Sequence, residues 1–167
     1  MRIVDYDSNW KTEFAIVKEQ LLSKHLINKD RIEHIGSTSI PDMRAKPIID
    51  IMVGLNDLKL KKQFEHELRA FSFYRLKVEK NDEIVFAKFK DKNFQMKTHF
   101  IHAVIYEGKK WNDLINFRNY LIKHEDARKE YIFLKESYLK STNKGILDYT
   151  NYKENFIKNI IQRCEDT

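Results

Sequence analysis

The sequence predicts an α+β fold: a mixed β-sheet flanked by helices, with a helical subdomain at the C-terminal end. The 167 residues suffice for one domain with a packed core, since 42% of them are hydrophobic and 13% are aromatic. Only four glycines and two prolines interrupt the chain, which disfavours an all-β protein rich in turns. The apolar spacing is mixed over residues 1–108 and helical over residues 109–167.

The first part of the chain begins with a predicted edge strand and a helix. Residues 2–5 have the composition of a short strand, and Asp7 and Ser8 are typical helix N-cap residues. The helix that follows carries apolar residues three or four positions apart: Trp10, Phe14, Val17, Leu21 and Leu22. Residues 31–35 then alternate between apolar and polar side chains, which predicts a strand that runs into a tight turn at Gly36.

The next elements surround the most apolar strand of the sequence. Pro41 and Asp42 favour the start of a helix, which must be brief because Pro47 disfavours helical geometry at the residue before it. Residues 48–54 form a continuous apolar run, which is typical of a central strand buried on both faces. An Asn-Asp pair then caps a second helix that extends to Leu68.

Three strands and three helices complete the prediction. The strands cover residues 71–78, 83–90 and 97–106, separated by Lys-Asn-Asp and Asp-Lys-Asn turn sequences. The helices cover residues 110–123, 125–140 and 149–164, with Gly145 in the last loop. We therefore expect a core of residues 1–108 and a helical subdomain of residues 109–167, with a ligand cleft between them.

Composition narrows the partners and the compartment. The formal net charge of +6 suits an anionic partner, although soluble lysine-rich proteins commonly carry such a charge. The single cysteine, Cys164, excludes an internal disulfide and a cysteine-rich zinc site and is typical of a reducing compartment. No apolar stretch resembles a signal peptide or is long enough to span a membrane. We therefore expect a cytoplasmic protein with no membrane partner.

A candidate functional site lies between Gly36 and Asp50. Gly36 allows a tight turn, and three hydroxyl residues follow it: Ser37, Thr38 and Ser39. Hydroxyl and amide groups just before a helix favour a bound anion, and Lys46 adds positive charge nearby. Asp50 lies in the apolar strand, where a carboxylate needs a compensating cation or metal ion. A phosphate site followed by a metal-binding acid is an arrangement that holds a nucleotide with magnesium.

Each of these features also has a purely structural explanation. The three hydroxyl groups can cap the short predicted helix. Asp50 can form a salt bridge with Lys46 or with a later arginine. The two features together, at this spacing, are less readily explained in this way than either one alone.

The residues around this site resemble a known family. Glu33-His34-Ile35-Gly36-Ser37-Thr38-Ser39-Ile40-Pro41 and Ala45-Lys46-Pro47-Ile48-Ile49-Asp50-Ile51 resemble the central motifs of the GrpB family, within the polymerase-β-like nucleotidyltransferase superfamily. Further matching positions run through the chain: Tyr6-Asp7-Ser8-Asn9-Trp10, His99-Phe100-Ile101-His102, Phe117-Arg118-Asn119-Tyr120-Leu121, Tyr131, Leu134-Lys135, Tyr149, Lys153 and Phe156. The resemblance covers nearly the whole chain and implies a nucleotidyltransferase-like fold.

The resemblance also implies how the site works, but this sequence departs from the pattern twice. In the superfamily an aspartate at the position of Asp50 binds magnesium, a second carboxylate follows two residues later, and a third lies on a later strand. Here Met52 occupies the second position, and the later strand carries His99 and His102. Residues three apart on a strand face opposite sides, so only one of these histidines can reach the site. His102 is our candidate base or metal ligand, with a hydrogen-bonded structural histidine as the alternative.

The helical half supplies further candidates. Arg118 lies among aromatic residues, either as a bidentate phosphate partner or as a packing residue whose head reaches solvent. Lys135 and Lys153 match family positions, but a solvated helix face explains most lysines in so lysine-rich a sequence. Three acids that could complete a metal site have positions that the sequence leaves open: Glu33, Asp42 and Asp148.

Our first functional hypothesis is an enzyme that uses magnesium to transfer a nucleotidyl group from a nucleoside triphosphate to an acceptor. In this hypothesis the residues from Ser37 to Ser39 hold the triphosphate, Lys46 and Arg118 neutralise it, and Asp50 binds magnesium. Met52 favours a second hypothesis, a catalytically degenerate module that binds a nucleotide or another phosphorylated small molecule. An RNA- or protein-binding adaptor is not favoured, because the sequence lacks an aromatic RNA-binding motif.

Overall fold

The computed structural model of the protein describes residues 2–25, 27–78, 80–140 and 146–166, with the side chains of residues 146–150 left out. The elements in chain order are α1 (Asn9–Ser23), β1 (Ile32–Ile35), β2 (Ile49–Leu55), α2 (Lys61–Arg69), β3 (Phe73–Arg75), β4 (Ile84–Phe89), β5 (Lys97–Ile105), α3 (Lys109–Lys123), α4 (Glu125–Lys140) and α5 (Ile146–Glu165). Short 3-10 turns at Lys29–Arg31, Ser37–Ser39 and Leu58–Leu60 join some of them.

The described strands form one mixed sheet in the order β1-β2-β5-β4-β3. The two central neighbours, β2 and β5, run parallel, and all other neighbours are antiparallel. The parallel register places Asp50 opposite Phe100 and Met52 opposite His102, so these four side chains share one face. The apolar run of residues 48–54 predicts this central, buried strand, and the prediction is confirmed.

The first face of the sheet packs against α1 and α2 and forms the larger core. Strand residues of this core include Ile51, Val53, Phe86 and Ile101. The helices contribute apolar residues at helical spacing: Trp10, Val17, Leu21, Phe64 and Leu68. The amphipathic pattern of the first helix therefore predicts its buried face correctly.

The second face of the sheet packs against α3, which also organises the other two helices. Near its start, Trp111 joins a small cluster with Met52 and Val104 of the sheet. Further along the helix, Phe117 and Leu121 enter a cluster formed mainly by the helices, whose other buried members are Ile40, Met43, Ala127, Tyr131, Phe156 and Ile160. Helix α3 thus makes apolar contacts with the sheet at its start and with α4 and α5 further along, and so links them. A boundary between two units near residue 108 stays a prediction.

The helix predicted to begin at Pro41 is absent, and that prediction is wrong. The chain makes the 3-10 turn Ser37–Ser39 instead, followed by a second turn in which the Met43 N–H donates to the Ile40 carbonyl oxygen. Two backbone bonds explain this, because Val4 and Ala45 each donate to the other's carbonyl oxygen, at 2.9 and 3.0 Å. Asp42 takes a positive φ of 61°, which also interrupts any helix. The edge strand predicted at residues 2–5 amounts to this single bridge.

Two further boundaries differ from the prediction. Strand β3 is shorter than the predicted residues 71–78, because Phe71 and Ser72 still donate to carbonyl groups of the last turn of α2. Helix α5 begins at Ile146 rather than at residue 149, whereas the predicted loop residue Gly145 lies outside the described residues. Within the described part of the chain, no helix has the length and apolar character needed to cross a membrane.

Replacing Leu121 by alanine tests the role of α3. Leu121 is fully buried among the helices, so we expect L121A to lower the free energy of unfolding by about 2–5 kcal/mol in urea denaturation. The neighbouring Ile122 is exposed on the same helix, so I122A should change it by less than about 1 kcal/mol. Equal losses for the two variants would show that α3 does not hold the helices as described.

Candidate functional site

The Gly36 turn lies directly against the Asp50 carboxylate. Strand β1 ends at Ile35, and Gly36 takes φ 73° and ψ −178°, a region essentially open to glycine alone. A Cβ added to Gly36 would lie 2.6 Å from Asp50 Oδ2. The tight turn predicted at Gly36 is therefore present, and two independent constraints require glycine there.

The three hydroxyl groups of the turn have different environments. The Thr38 side chain is buried, with Oγ1 3.0 Å from His34 Nε2 and 3.4 Å from the Ile48 carbonyl oxygen, to which it donates. The Ser39 hydroxyl donates back to the Gly36 carbonyl oxygen over 2.5 Å. The Ser37 hydroxyl instead meets helix α4. Thr38 and Ser39 thus stabilise the turn, and Ser37 joins it to α4.

Lys135 and Tyr131 of α4 meet the Ser37 hydroxyl. The Lys135 ammonium donates a hydrogen bond to Ser37 Oγ and lies 4.0 Å from the centre of the Tyr131 ring. The Tyr131 hydroxyl also hydrogen-bonds to Ser37. The Lys135 side chain is only 8% exposed, so its charge is largely withdrawn from water. We call the group of Ser37, Asp50, Tyr131 and Lys135 the Ser37 cleft.

Burial and neighbouring charges set the protonation of the cleft. Burial, followed by the charge of Lys153, lowers the pKa of Lys135 to about 7, although the Asp50 carboxylate opposes the shift. Burial and the same carboxylate raise the pKa of Tyr131, against the effect of its hydrogen bond to Ser37. Asp50 therefore acts electrostatically on both α4 side chains, although it lies on β2.

Asp50 is also joined to a second chain of charged groups. His102 Nε2 lies 2.9 Å from Asp50 Oδ1, and its Nδ1 is hydrogen-bonded to Glu83 Oε1. The buried Glu83 carboxylate faces two ammonium groups, Lys80 at 3.7 Å and Lys110 at 3.9 Å. Ionised carboxylates only accept hydrogen bonds, so an imidazole placed between two of them donates from both nitrogens.

The protonation of this chain follows from the same geometry. Burial alone lowers the pKa of His102, but its hydrogen bonds to Asp50 and Glu83, with the charges of both, raise that pKa to about 9. Burial would raise the pKa of Glu83, yet His102, Lys110 and Lys80 together hold it below its ordinary value. His99 lies on the opposite face, as its spacing predicts, with its ring 6.2 Å from that of Phe73.

The other predicted cations lie outside the Ser37 cleft. Arg118 donates to Glu33 Oε2 at 2.8 Å and to the His34 carbonyl oxygen at 2.9 Å, which fastens α3 to β1. It borders a separate cavity of about 500 Å³ beside that strand. Lys46 is exposed on the approach to β2. Among the three acidic candidates, Glu33 pairs with Arg118, Asp42 is exposed, and Asp148 lies outside the described side chains.

The donor set does not fit the predicted magnesium site. Among the described side chains, no three His, Cys, Asp or Glu residues converge where they could hold a metal ion. Met52 is fully buried, and a thioether is a poor ligand for magnesium, which takes oxygen donors. Asp50 Oδ1 already accepts from His102, whose second nitrogen is also engaged. The superfamily pattern makes the residue at this position a magnesium ligand, whereas Asp50 is paired here with the His102 side chain.

Three residues of the site are not predicted as site residues from their local sequence. Tyr131 and Lys135 stand out only as family positions, and Glu83 only as the first residue of a predicted strand. Tyr131 and Lys135 are four residues apart, so they share one face of a helix, and this spacing is a signal that could have paired them. Glu83 precedes an apolar strand and carries no comparable signal.

The chain is similar over nearly its whole length to one protein family. The family model described as "GrpB protein" matches residues 1–163. The "Glutamate-rich protein GrpB" of Alkalihalophilus pseudofirmus is 38% identical over 163 residues, which are 95% of this chain and 92% of that protein. The crystal structure of the conserved protein GrpB from Enterococcus faecalis has a TM-score of 0.77 at 25% identity, covering 98% of this chain and 96% of the other.

The fold is also similar to that of a polymerase. A crystal structure of the Cid1 poly(U) polymerase bound to MgATP has a TM-score of 0.55 at 15% identity. The match covers 80% of this chain and 43% of the polymerase chain. At this level of identity the likeness shows the fold alone. The predicted nucleotidyltransferase-like α+β fold is therefore confirmed.

Replacing Gly36 by alanine tests the contact between the turn and Asp50. The new Cβ would be strained by the positive φ and would collide with the carboxylate, so we expect a loss of about 2 kcal/mol or more in the free energy of unfolding. Gly108 has a negative φ, and a Cβ added there would lie 3.1 Å from its nearest neighbour, the Ile105 carbonyl oxygen. G108A should therefore lower the free energy of unfolding clearly less than G36A does. A G36A variant as stable as G108A would contradict the described turn.

Replacing Lys135 by methionine tests its burial. Between pH 7 and 9 the unfolded chain keeps this lysine protonated while the folded chain loses the proton, so Lys135 lowers stability most at and below pH 7. We expect K135M to have a higher free energy of unfolding than the wild type at pH 7. This difference should shrink by about 1 kcal/mol for each pH unit between pH 7 and pH 9.

The control for this experiment is Lys129→Met. Lys129 lies on the same helix but is exposed and paired with Glu125, so K129M should show no comparable change with pH. Taking the difference between each variant and the wild type removes the contributions of His102 and Tyr131, which titrate in all three proteins. An excess stability of K135M that stays constant from pH 7 to 9 would contradict the depressed pKa.

Proposed function

The chain belongs to the GrpB family, and on this basis we propose that it binds the phosphate groups of a nucleotide in the Ser37 cleft. The observation that carries the proposal is the buried Lys135 ammonium, held against the Ser37 hydroxyl at the Gly36 turn. A buried ammonium is unfavourable without an anionic partner. The Asp50 carboxylate, which acts on its charge, is already paired with His102.

The charges around the cleft support an anionic ligand. Lys153 lies close enough for its charge to disfavour protonation of Lys135, and such a pair of cations favours a bound anion. Ser37 and Tyr131 add hydroxyl groups that can donate to phosphate oxygens. A bound phosphate would therefore restore the full charge of Lys135 and relieve its repulsion from Lys153.

The nucleotide part of the proposal depends on the fold. Cid1, whose fold this chain shares, has a structure bound to MgATP. The present site adds to this shared fold a buried ammonium and a serine hydroxyl, groups that can bind phosphate oxygens. A nucleoside triphosphate is accordingly the ligand class that we propose, with other phosphorylated small molecules as weaker competitors.

We place binding ahead of nucleotidyl transfer. Two-metal transfer needs several anionic oxygens to hold the ions that clamp the attacking and leaving groups. Met52 occupies the position where the superfamily pattern asks for a second carboxylate, and β5, a later strand of the sheet, carries His99 and His102 instead of a third. Phosphate binding through Lys135 and Ser37 requires none of these ligands. The proposal therefore follows the binding-module hypothesis and includes no step through magnesium.

Titration calorimetry with ATP, GTP, UTP and inorganic triphosphate tests the proposal. We expect the wild type to bind a nucleoside triphosphate, and K135A to bind it at least about tenfold more weakly, because a charged hydrogen bond is lost. S37A should weaken binding by about threefold to tenfold. Each titration is made with magnesium and with EDTA, and we expect binding to persist in EDTA.

The control variant is Lys129→Ala, which removes the same charge from an exposed position of α4 and should leave affinity unchanged. A wild type that binds none of these compounds, or a K135A variant that binds as tightly as the wild type, would overturn the proposal. Incubation with a radiolabelled triphosphate and a panel of acceptors then separates the two hypotheses. Transfer of label that is lost in D50N would favour the enzyme over the binding module.

A further inference from the structure

The face of the sheet that carries Asp50 continues well beyond the Ser37 cleft. The register aligns one row of residues across four strands, from Asp50 on β2 through Phe100 on β5 and Ala87 on β4 to Tyr74 on β3. Neighbouring strands are about 4.8 Å apart, so the row is about 14 Å long. In the described residues, α3 packs on β1 and β5 of this face, and the helix that packs on β3 belongs to the opposite face.

Exposed apolar side chains gather at the far end of this row. Tyr74 is 39% exposed and Phe94 is 54% exposed, with their ring centres 5.2 Å apart in an edge-to-face pair. Phe94 also contacts Phe89 edge-to-face at 5.3 Å, and the exposed Met96 follows two residues later. Exposed aromatic residues clustered in this way commonly mark a binding surface, whereas single ones need no explanation. We call Tyr74, Phe94, Met96 and Phe100 the aromatic face.

An ordered turn presents Phe94 and Met96. The Asp91 side chain accepts hydrogen bonds from the backbone N–H groups of Gln95 and Met96, at 3.0 and 2.8 Å. The Lys90 N–H donates to the Met96 carbonyl oxygen at 2.8 Å, which closes the turn between β4 and β5. Because the turn is held by its own hydrogen bonds, little ordering is required when a ligand contacts the aromatic rings.

The charges around the aromatic face indicate the kind of partner. The Lys97 ammonium lies 5.5 Å from the centre of the Phe100 ring, and the exposed Lys90 and Lys92 belong to the same turn as Phe94. The one acid of this turn, Asp91, is engaged with the backbone. Lysine is depleted in the cores of protein–protein interfaces, whereas aromatic rings with flanking cations are typical of surfaces that bind single-stranded nucleic acid.

We propose that the aromatic face binds single-stranded nucleic acid, with bases stacked on Tyr74 and Phe94 and phosphates held by the neighbouring lysines. Every base has a flat face, so such stacking tolerates any sequence. The row of residues leads from the aromatic face towards Asp50, but the proposed stacking involves Tyr74 and Phe94 and no residue of the Ser37 cleft. The aromatic face is separate from that cleft, and its binding does not require that the proposed nucleotide function be correct.

Fluorescence anisotropy with a labelled oligonucleotide of about 12 nucleotides tests the proposal, using oligo(U), oligo(dT) and a duplex of the same length. We expect both single strands to bind more tightly than the duplex. The affinities for oligo(U) and oligo(dT) then show whether the protein prefers RNA or DNA. F94A should bind single strands about tenfold more weakly or worse, because a stacking ring is lost. K97A should bind all of these oligonucleotides more weakly. The slope of the logarithm of its affinity against the logarithm of the salt concentration should be smaller by about one.

Phe133 provides the matched control. It is a 72% exposed phenylalanine on α4, away from the aromatic face, so F133A should bind nucleic acid as the wild type does. Thermal melting establishes that F94A is folded, and Y74A supplies an independent removal of a ring. F94A should keep the ATP affinity of the wild type, and K135A should keep its affinity for oligonucleotides, so the two proposals can fail separately.

Three outcomes would overturn the inference. The wild type binds no single strand, F94A and Y74A bind as tightly as the wild type, or the duplex binds as tightly as the single strands. Sedimentation velocity adds a fourth: a wild-type dimer that F94A converts to a monomer would identify the aromatic face as an interface between two copies of this chain.

Discussion

The position of the Asp50 carboxylate between the Gly36 turn and the His102 imidazole determines the rest of the cleft. A carboxylate in a central strand is unfavourable unless hydrogen bonds and opposite charge compensate its loss of water. His102 supplies both on one side, and Glu83 behind it completes a chain of alternating charges. On the other side, the turn approaches so closely that only a residue without a Cβ fits. With Asp50 in place, the turn holds Ser37 towards α4.

Met52 is an integral part of this arrangement rather than a simple loss of a ligand. Its side chain is fully buried in the cluster formed with Ile35, Val104 and Trp111. A carboxylate at this position would enter an apolar cluster under α3 and would need a cation that the cluster does not supply. The same contacts that anchor α3 on the sheet therefore exclude the second acid of the superfamily pattern. Packing and metal chemistry compete for one position, and packing prevails here.

Helix α3 connects the two halves of the chain by three kinds of contact. Trp111 packs on the sheet, Phe117 and Leu121 pack on the other helices, and Arg118 bonds to β1 through a side chain and a backbone carbonyl. The sequence left Arg118 open between a phosphate partner and a packing residue. Its two bonds to β1 show a residue that fixes the edge strand, and thereby the start of the Gly36 turn. That Arg118 binds phosphate stays a prediction. Its bonds to Glu33 and to the His34 carbonyl oxygen already engage part of the guanidinium group.

The sequence by itself determined what depends on local periodicity and on single unusual residues. It predicted the central strand, the amphipathic helices and the glycine turn, because each follows from residues close together in the chain. Only the tertiary structure decided the partners. Ser37 and Lys135 are 98 positions apart, and Asp50 and His102 are 52 apart, so no local spacing could pair them. The aromatic face likewise exists only because strand register aligns residues of four separate strands. Burial then converts these long-range contacts into shifted charges, which is a property of the folded chain alone.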